Sequence, residues 1–293
     1  MVADLNDFVY KEVLGGDPTR KSLFILLEKG EEQAVLICNK EAFEEDANLI
    51  PKWLKSAKLH LLTENDKYGN YEMALDPELN LLKTTLIYPA NAFDIQKYRR
   101  QEFFILYETP EDYKNITCNY LVETKQFENL KWVYNFLDKK SEEERIIYEN
   151  PDKHEGFILA PDLKWNGTNL DELYFLAVAH RRDLHSIRDL TPNELPLLEN
   201  IRDECAKTIE EKYGLKKSQL KMYFHYQPTF YHLHVHIVHI KYEAPGLSCT
   251  SVLLDTVIEN LKIYSDFYTK ATLPFLRKEN DPLYKKFVEA GRV

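Results

Sequence analysis

No run of about 18 apolar residues occurs in the chain, so no segment is expected to cross a membrane as a helix. Cysteine is scarce: Cys38, Cys118, Cys205 and Cys249 are scattered and form no Cys-x-x-Cys pair. That disfavours both a disulfide framework and a structural zinc framework, and it suggests a reducing, intracellular compartment. Positive charge is also short. Lys and Arg number 38 against 48 Asp and Glu, a formal net charge of −10. Long nucleic acid, which is gripped through its phosphates by a basic surface, is therefore not an expected partner. A small anion held by a few local cations is not excluded. The amino terminus, Met1-Val2-Ala3-Asp4-Leu5-Asn6-Asp7, lacks the basic-then-apolar layout of a signal peptide. No internal repeat or low-complexity tract interrupts the chain.

What is present is ample for a packed core. The 293 residues are 44% hydrophobic and 29% charged, enough for one large domain or two ordinary ones. Aromatics are abundant, with 19 Tyr and 15 Phe, and suit stacking sites as well as cores. The first hundred residues read as a mixed α/β unit. A short helix is expected over Phe8–Leu14, ended by Gly15-Gly16. Leu23–Leu27 and Gln33–Cys38 read as a hairpin, and Leu81–Tyr88 as a strand stopped by Pro89. Asp94–Tyr107 carries a helical pattern, broken by Glu108-Thr109-Pro110-Glu111-Asp112, the expected linker.

Beyond the linker, Glu128–Leu137 suits a helix carrying Trp132, and Arg145–Glu149 and Phe157–Ala160 suit strands. A helix is expected over Asn169–Arg182. The next helix start is sharp, because Thr191-Pro192-Asn193-Glu194 is a capping box with proline at the first helical position. A stripe of Leu195, Leu198, Cys205 and Ile209 follows, and Gly214 can end it. Leu220–Tyr226 and Tyr231–Ile240 form an expected hairpin.

The second strand of that hairpin carries His232-Leu233-His234-Val235-His236-Ile237-Val238. A strand has a side-chain period of two, so the three imidazoles are expected on one face and the apolar residues on the other. A core strand with hydrogen-bonded histidines is one reading. A zinc site is a second, although three histidines on one straight strand close poorly around one ion. A third is nucleophilic catalysis at phosphorus. There a neutral imidazole attacks a phosphoryl group while its neighbours hold oxygens or assist the leaving group.

This stretch resembles the signature of the histidine triad superfamily, His-φ-His-φ-His-φ-φ with φ apolar. A longer resemblance, from about residue 110 to the end, is to the scavenger mRNA-decapping enzyme family. It is carried by Lys131–Lys140, Pro161-Asp162-Leu163-Lys164-Trp165, His180-Arg181-Arg182, Ser186–Pro192 and Phe224-His225-Tyr226 through His236. Glu243-Ala244-Pro245-Gly246 and Val257–Leu261 extend it, and Asn65-Asp66-Lys67-Tyr68 is a weaker patch in the first hundred residues.

The resemblance implies an α+β fold: a mixed α/β amino-terminal domain over 1–107, a hinge over 108–112, and a histidine-triad domain over 113–293 with an antiparallel sheet and packed helices. It implies hydrolysis of the 5′–5′ triphosphate bridge of 7-methylguanosine-capped dinucleotides and short capped oligonucleotides left by 3′-to-5′ mRNA decay. The product is 7-methylguanosine monophosphate, formed through a phosphohistidine, with neither cofactor nor metal. A homodimer with exchanged amino-terminal domains, acting in cytoplasm and nucleus, is implied too.

By motif position His234 is the nucleophile, with His236 and His225 holding phosphate oxygens or assisting the leaving group. His232 is an orienting group. Thr229 stands where relatives place serine, and Phe230 where tyrosine is common, which removes one hydroxyl. Trp132 matches the residue that stacks on the methylated, cationic base. Read by itself it is a core tryptophan. Glu142 matches the carboxylate that receives guanine N–H groups, although Ser141-Glu142-Glu143-Glu144 reads equally as a helix amino terminus. Asp162 and Lys164 match ligand contacts, with Pro161 and Leu163 lining the base slot; Asp162-Leu163-Lys164 also reads as a surface turn. Asn65 and Tyr68 are candidates from the amino-terminal domain. Two alternatives stand beside decapping: an inactive cap-binding regulatory paralogue, and a general dinucleoside polyphosphate hydrolase.

Overall fold

The computed structural model describes residues 4–19, 21–41, 46–75, 80–242 and 250–293. The motif segment Glu243–Gly246 and Cys249 lie outside the described residues. The chain divides into two units, 1–101 and 102–293.

In the first unit, β1 (Val9–Asp17), β2 (Ser22–Lys29) and β3 (Glu32–Lys40) run antiparallel in sequence order. A hairpin, β4 (Lys58–Asn65) and β5 (Tyr68–Ala74), stands outside that sheet, and β6 (Leu82–Ile87) closes it against β3. The expected β2–β3 hairpin is present, pairing Leu27 with Ala34 and Lys29 with Glu32 across Gly30, whose φ of +63° suits glycine. Leu14, Leu26, Val35 and Ile95 form a small core.

Two expectations fail here. Phe8–Leu14 is not a helix but most of β1, because β2 supplies a partner that local periodicity does not reveal. Gly15 serves close approach rather than helix termination, since a Cβ there would meet the Tyr98 carbonyl oxygen at 2.9 Å. The helix expected over Asp94–Tyr107 spans only Ala92–Tyr98, capped by Asn91 and Asp94.

The remaining residues of that stretch form β7 (Phe103–Glu108) of the second unit, paired with β14 (Leu273–Lys278). Leu106 and Glu108 are buried while Ile105 and Tyr107 are exposed, the two-residue period of a strand. The linker expected at Glu108–Asp112 therefore lies inside the second unit. Glu108 is fully buried, and Thr109 caps a helical turn over Pro110–Asp112.

The second unit is built on a six-stranded antiparallel sheet. Its strands are β8 (Tyr148–Asn150), β9 (Phe157–Pro161), β10 (Tyr174–Ala179), β11 (Leu220–His225), β12 (His234–His239) and β13 (Ser251–Leu253). Their order is β13-β11-β12-β10-β9-β8, so the histidine-bearing strand is central. The helix expected over Asn169–Arg182 is β10. Its run Tyr-Phe-Leu-Ala-Val-Ala is apolar throughout, and such a run does not distinguish a buried strand from a helix until β9 and β12 flank it. The strand expected over Arg145–Glu149 is shortened to Tyr148–Asn150, with a 3-10 turn over Glu143–Arg145.

The sheet faces differ. One carries Phe157, Leu159, Phe175, Ala177, Val235 and Ile237 into the main core, with Leu198, Ile201 and Ile209 of the helix Leu195–Tyr213 and Val257 and Ile258 of the helix Leu254–Ile263. The capping box at Thr191–Glu194 is formed, and Gly214 ends that long helix at φ +73°. On the other face, Ile158, Ala160 and Val178 meet Val133, Phe136 and Leu137 of the helix Lys131–Leu137. His234 and His236 of β12 share this thinner side, because His234 pairs with Val178 and His236 with Leu176.

Candidate functional site

β12 begins at His234, so only His234 and His236 take the alternating placement; His232 lies just before the strand. Its buried imidazole donates from Nε2 to the Ala179 carbonyl at 2.7 Å. The group that orients His234 is the His232 backbone: its carbonyl accepts a 2.7 Å hydrogen bond from His234 Nδ1. A carbonyl only accepts, so the proton of neutral His234 sits on Nδ1 and Nε2 carries the lone pair. His234 Nε2 has no hydrogen-bond partner among the described residues. His236 is oriented likewise, with Nδ1 2.7 Å from the Tyr174 hydroxyl and Nε2 unpartnered among the described residues.

The imidazoles meet. His234 and His236 have ring centroids 4.9 Å apart, and His225 lies 4.4 Å from His236 across the β11–β12 pair. Phe230 stacks on His234 at 4.0 Å and 13°. Trp132 stands edge-on to Phe230 at 4.9 Å and is 54% exposed. A core tryptophan is not what the structure shows. Val133, Phe136 and Leu137 bury their side of the helix and leave the indole outside.

Burial sets the protonation of this cluster. His225, His232 and His234 are pushed down to about 4, and His236 well below its ordinary value of 6.5. Desolvation is the largest cause in each, and Lys164 adds to the lowering at His225 and His236. A neutral, correctly tautomeric imidazole is thus held at neutral pH. The linkage has a definite sign. Above pH 6.5 the imidazoles are neutral folded and unfolded, and their contribution to stability is complete. Between pH 6.5 and about 4 the unfolded chain takes up protons that the folded chain refuses, so stability falls as pH falls. Carboxylates held below their usual value, such as Asp112, act at lower pH. Urea midpoints are expected to be flat above pH 7 and to decline from pH 6.5 towards 4; a flat curve through that window would contradict the assignment.

The other expected residues divide. Glu142 stands at the N-cap position of the 3-10 turn Glu143–Arg145, so the stretch does open a helical turn, but its side chain does not cap it. Glu142 adopts a left-handed backbone with φ 59° and pairs with Arg145. Arg145 also donates to the Pro161 carbonyl, so one guanidinium ties together two residues of the expected base slot. Sequence reasoning passed over Arg145. A left-handed non-glycine residue stores strain of about 1–3 kcal/mol, which persists where surroundings enforce it.

Asp162–Lys164 does form a surface turn, with the Asp162 carboxylate accepting the Lys164 N–H at 2.8 Å and Leu163 82% exposed. That turn nonetheless places Lys164 Nζ 5.4 Å from the Tyr174 ring centroid, beside His236. Lys164, Tyr174, His225, Thr229 and His236 are among the walls of one cleft of about 470 Å³. His234 is not among its walls but packs against His236, and Trp132, Glu142, Pro161, Asp162, Leu163, Phe230 and His232 are not among them either. Asn65 and Tyr68 face each other as a register pair at the tip of the β4–β5 hairpin in the first unit.

Tyr174 is not among the residues the sequence singles out, because its apolar strand has the pattern of a helix. Its signal was the aromatic residue opening an apolar run. Arg181 and Arg182 line a separate hollow with Lys153 and His154; they pair with Asp183, Glu194 and Asp138. Among the described residues no group of three or more His, Cys, Asp or Glu side chains is arranged to hold a metal ion.

Two family profiles match the chain. Residues 3–101 match the scavenger mRNA decapping enzyme N-terminal profile, and residues 131–251 match the scavenger mRNA decapping enzyme C-terminal binding profile. The chain is 50% identical over 287 residues to an m7GpppX diphosphatase of Ascaris suum, covering 97% of this chain and 95% of that protein. It is 48% identical to one of Caenorhabditis elegans over 98% of this chain and 92% of that protein. With the human m7GpppX diphosphatase the identity is 45%, over 88% of this chain and 76% of that protein.

Proposed function

The chain belongs to the scavenger mRNA-decapping enzyme family, and from that premise we propose that it hydrolyses the triphosphate bridge of 7-methylguanosine-capped dinucleotides and short capped oligonucleotides through a phosphohistidine on His234. The observation that carries the mechanism is the His234 tautomer: Nδ1–H is committed to a backbone carbonyl, and the imidazole with its bare Nε2 is separated from an exposed tryptophan by the Phe230 ring alone.

Trp132 stacks on the methylated base, whose positive charge an indole face attracts. Glu142 accepts the guanine N–H groups, its carboxylate set by Arg145. Pro161, Asp162 and Leu163 bound the base slot. Nε2 of His234 attacks the phosphorus next to 7-methylguanosine. The N–P bond forms as the P–O bond to the next phosphate breaks, and the nucleoside diphosphate leaves with the bonding pair. Water then attacks the same phosphorus, loses a proton to solvent, and returns His234 Nε2 its lone pair as 7-methylguanosine monophosphate departs.

Lys164 and Thr229 hold phosphate oxygens from the cleft wall. With the Tyr174 hydroxyl donating to Nδ1, neutral His236 presents an Nε2–H donor to phosphate. His225, whose Nδ1 is 3.2 Å from Thr229's cleft neighbour Thr250, does the same from β11. Phe230 retains the family's aromatic ring and packs His234 without offering a hydroxyl.

The test is product analysis after adding 7-methylguanosine-triphosphate-guanosine in excess EDTA. Release of 7-methylguanosine monophosphate and guanosine diphosphate is expected, with the unmethylated dinucleotide turned over far more slowly. Intact substrate overturns the reading, and equal rates favour a general dinucleoside polyphosphate hydrolase.

A homodimer belongs to the same proposal. It is supported by exposed Phe103, Ile105 and Tyr107 along β7 and by exposed Leu59, Leu61 and Met73 on the β4–β5 hairpin. A monomer in sedimentation equilibrium overturns it.

A further inference from the structure

The cleft that His225 and His236 open continues past Thr229 to Gln227, Gln126 and Arg277. Lys164 and Arg277 are the two Lys or Arg side chains on its walls. Lys164 is taken up by the mechanism above; Arg277 is not.

Arg277 is placed by a polar chain that begins in the core. Fully buried Glu108 accepts a 3.0 Å hydrogen bond from Gln227 Nε2. A carboxylate only accepts, so the Gln227 amide is fixed with its nitrogen inward and its oxygen outward. That oxygen accepts from Arg277 Nη2, and a guanidinium only donates, so the orientation is determined from both ends. Arg277 Nη1 donates to the Leu276 carbonyl at 2.9 Å, and Asp281 stands 3.3 Å from Nε. Among the described residues Nη1 and Nη2 each have a single acceptor, and Nε has no hydrogen-bond partner. The same Gln227 opens the loop carrying Thr229 and Phe230, so the chain from Glu108 sets both the arginine and the loop against the catalytic histidines.

Resting on the decapping reading, we propose that Arg277 is a leaving-group subsite that binds the phosphates of the departing nucleoside diphosphate, with Gln227 and Glu108 as its positioning residues. The base-binding end of the substrate is accounted for by Trp132, which does not line this cleft. The diphosphate on the other side of the scissile bond needs a cation of its own in a protein of net charge −10. A guanidinium fork matches phosphate oxygens in pairs. The cleft volume of about 470 Å³ falls in the range of small-ligand sites.

The two products report on the two halves of the site separately. Guanosine diphosphate and 7-methylguanosine monophosphate are each titrated calorimetrically into the wild type, Arg277→Gln and Arg277→Lys, with thermal unfolding to confirm that the variants are folded. The dissociation constant for guanosine diphosphate is expected to rise about tenfold in Arg277→Gln, the order of one charge-assisted hydrogen bond. Arg277→Lys should recover part of that loss, keeping the charge but not the fork. Binding of 7-methylguanosine monophosphate should stay within about twofold, as for a distant site. Unchanged affinity for guanosine diphosphate in Arg277→Gln, no binding of it by the wild type, or equal weakening of both ligands overturns the subsite. A wild type that binds guanosine diphosphate with this arginine dependence but leaves capped dinucleotide intact overturns the decapping reading instead.

Discussion

His234→Ala is expected to lower kcat/KM for a capped dinucleotide by about four orders of magnitude or more, the scale seen when a covalent nucleophile is removed. Binding of 7-methylguanosine monophosphate should stay within about a few-fold of wild type, because truncating one ring leaves other contacts standing. The argument is positional. His236 lies against His234 and His225 against His236, yet each has its Nδ1 beside a hydroxyl, at Tyr174 and Thr250. His234 alone in the cluster has its tautomer dictated by a carbonyl with Nε2 left bare. No neighbour reproduces that, so rescue by an adjacent histidine is not expected. The decline in stability from pH 6.5 towards 4 should be shallower in this variant, since a buried group that resists protonation is removed. Steady-state kinetics with a product-binding titration check the pair of outcomes. Turnover near wild type would end the phosphohistidine mechanism.

Glu108→Ala acts on stability instead. The Glu108 carboxylate accepts from Thr117, Arg188, Tyr226 and Gln227, and nothing of it reaches solvent. Arg188 is buried with it and also donates to the Tyr268 and Ala271 carbonyls. Removing the carboxylate strands a guanidinium that cannot hydrate, a change that costs about 3–5 kcal/mol. Glu108→Gln, which keeps an acceptor but not the charge, should fall between that variant and wild type. Urea unfolding of the full chain measures both, and a loss under about 1 kcal/mol would show the pair to be far more hydrated than its burial implies.

The same residue shows what the sequence did and did not reveal. Glu108-Thr109-Pro110-Glu111-Asp112 has the composition of a linker, and composition carries no information about Arg188, eighty positions away in the chain. Asn169–Arg182 misled for a related reason. A strand buried on both faces has no polar period, so Tyr174–Ala179 looks helical until its neighbours are known. What depended on local rules was readable. The Thr191–Glu194 capping box, the Gly214 helix end and the β2–β3 hairpin each follow from a few adjacent residues. The pairing of His234 with a nucleophile's surroundings was legible as motif, but its tautomer depended on the carbonyl of His232, where the side chain had drawn attention. Trp132 was ambiguous because exposure is a property of the folded helix, and only the burial of Val133, Phe136 and Leu137 turns its ring outward.

That outward ring has an optical consequence. The chain has three tryptophans. Trp165 is enclosed by Phe175 and Tyr213, and Trp53 sits on the short helix Ile50–Ser56 of the other unit. Trp132 reaches His234, the proposed nucleophile, through a single intervening phenyl ring. On the proposed stacking, a cationic purine would quench its emission. The fluorescence of the unlabelled protein is therefore expected to report whether the proposed base slot is filled, with the light returning as 7-methylguanosine monophosphate leaves.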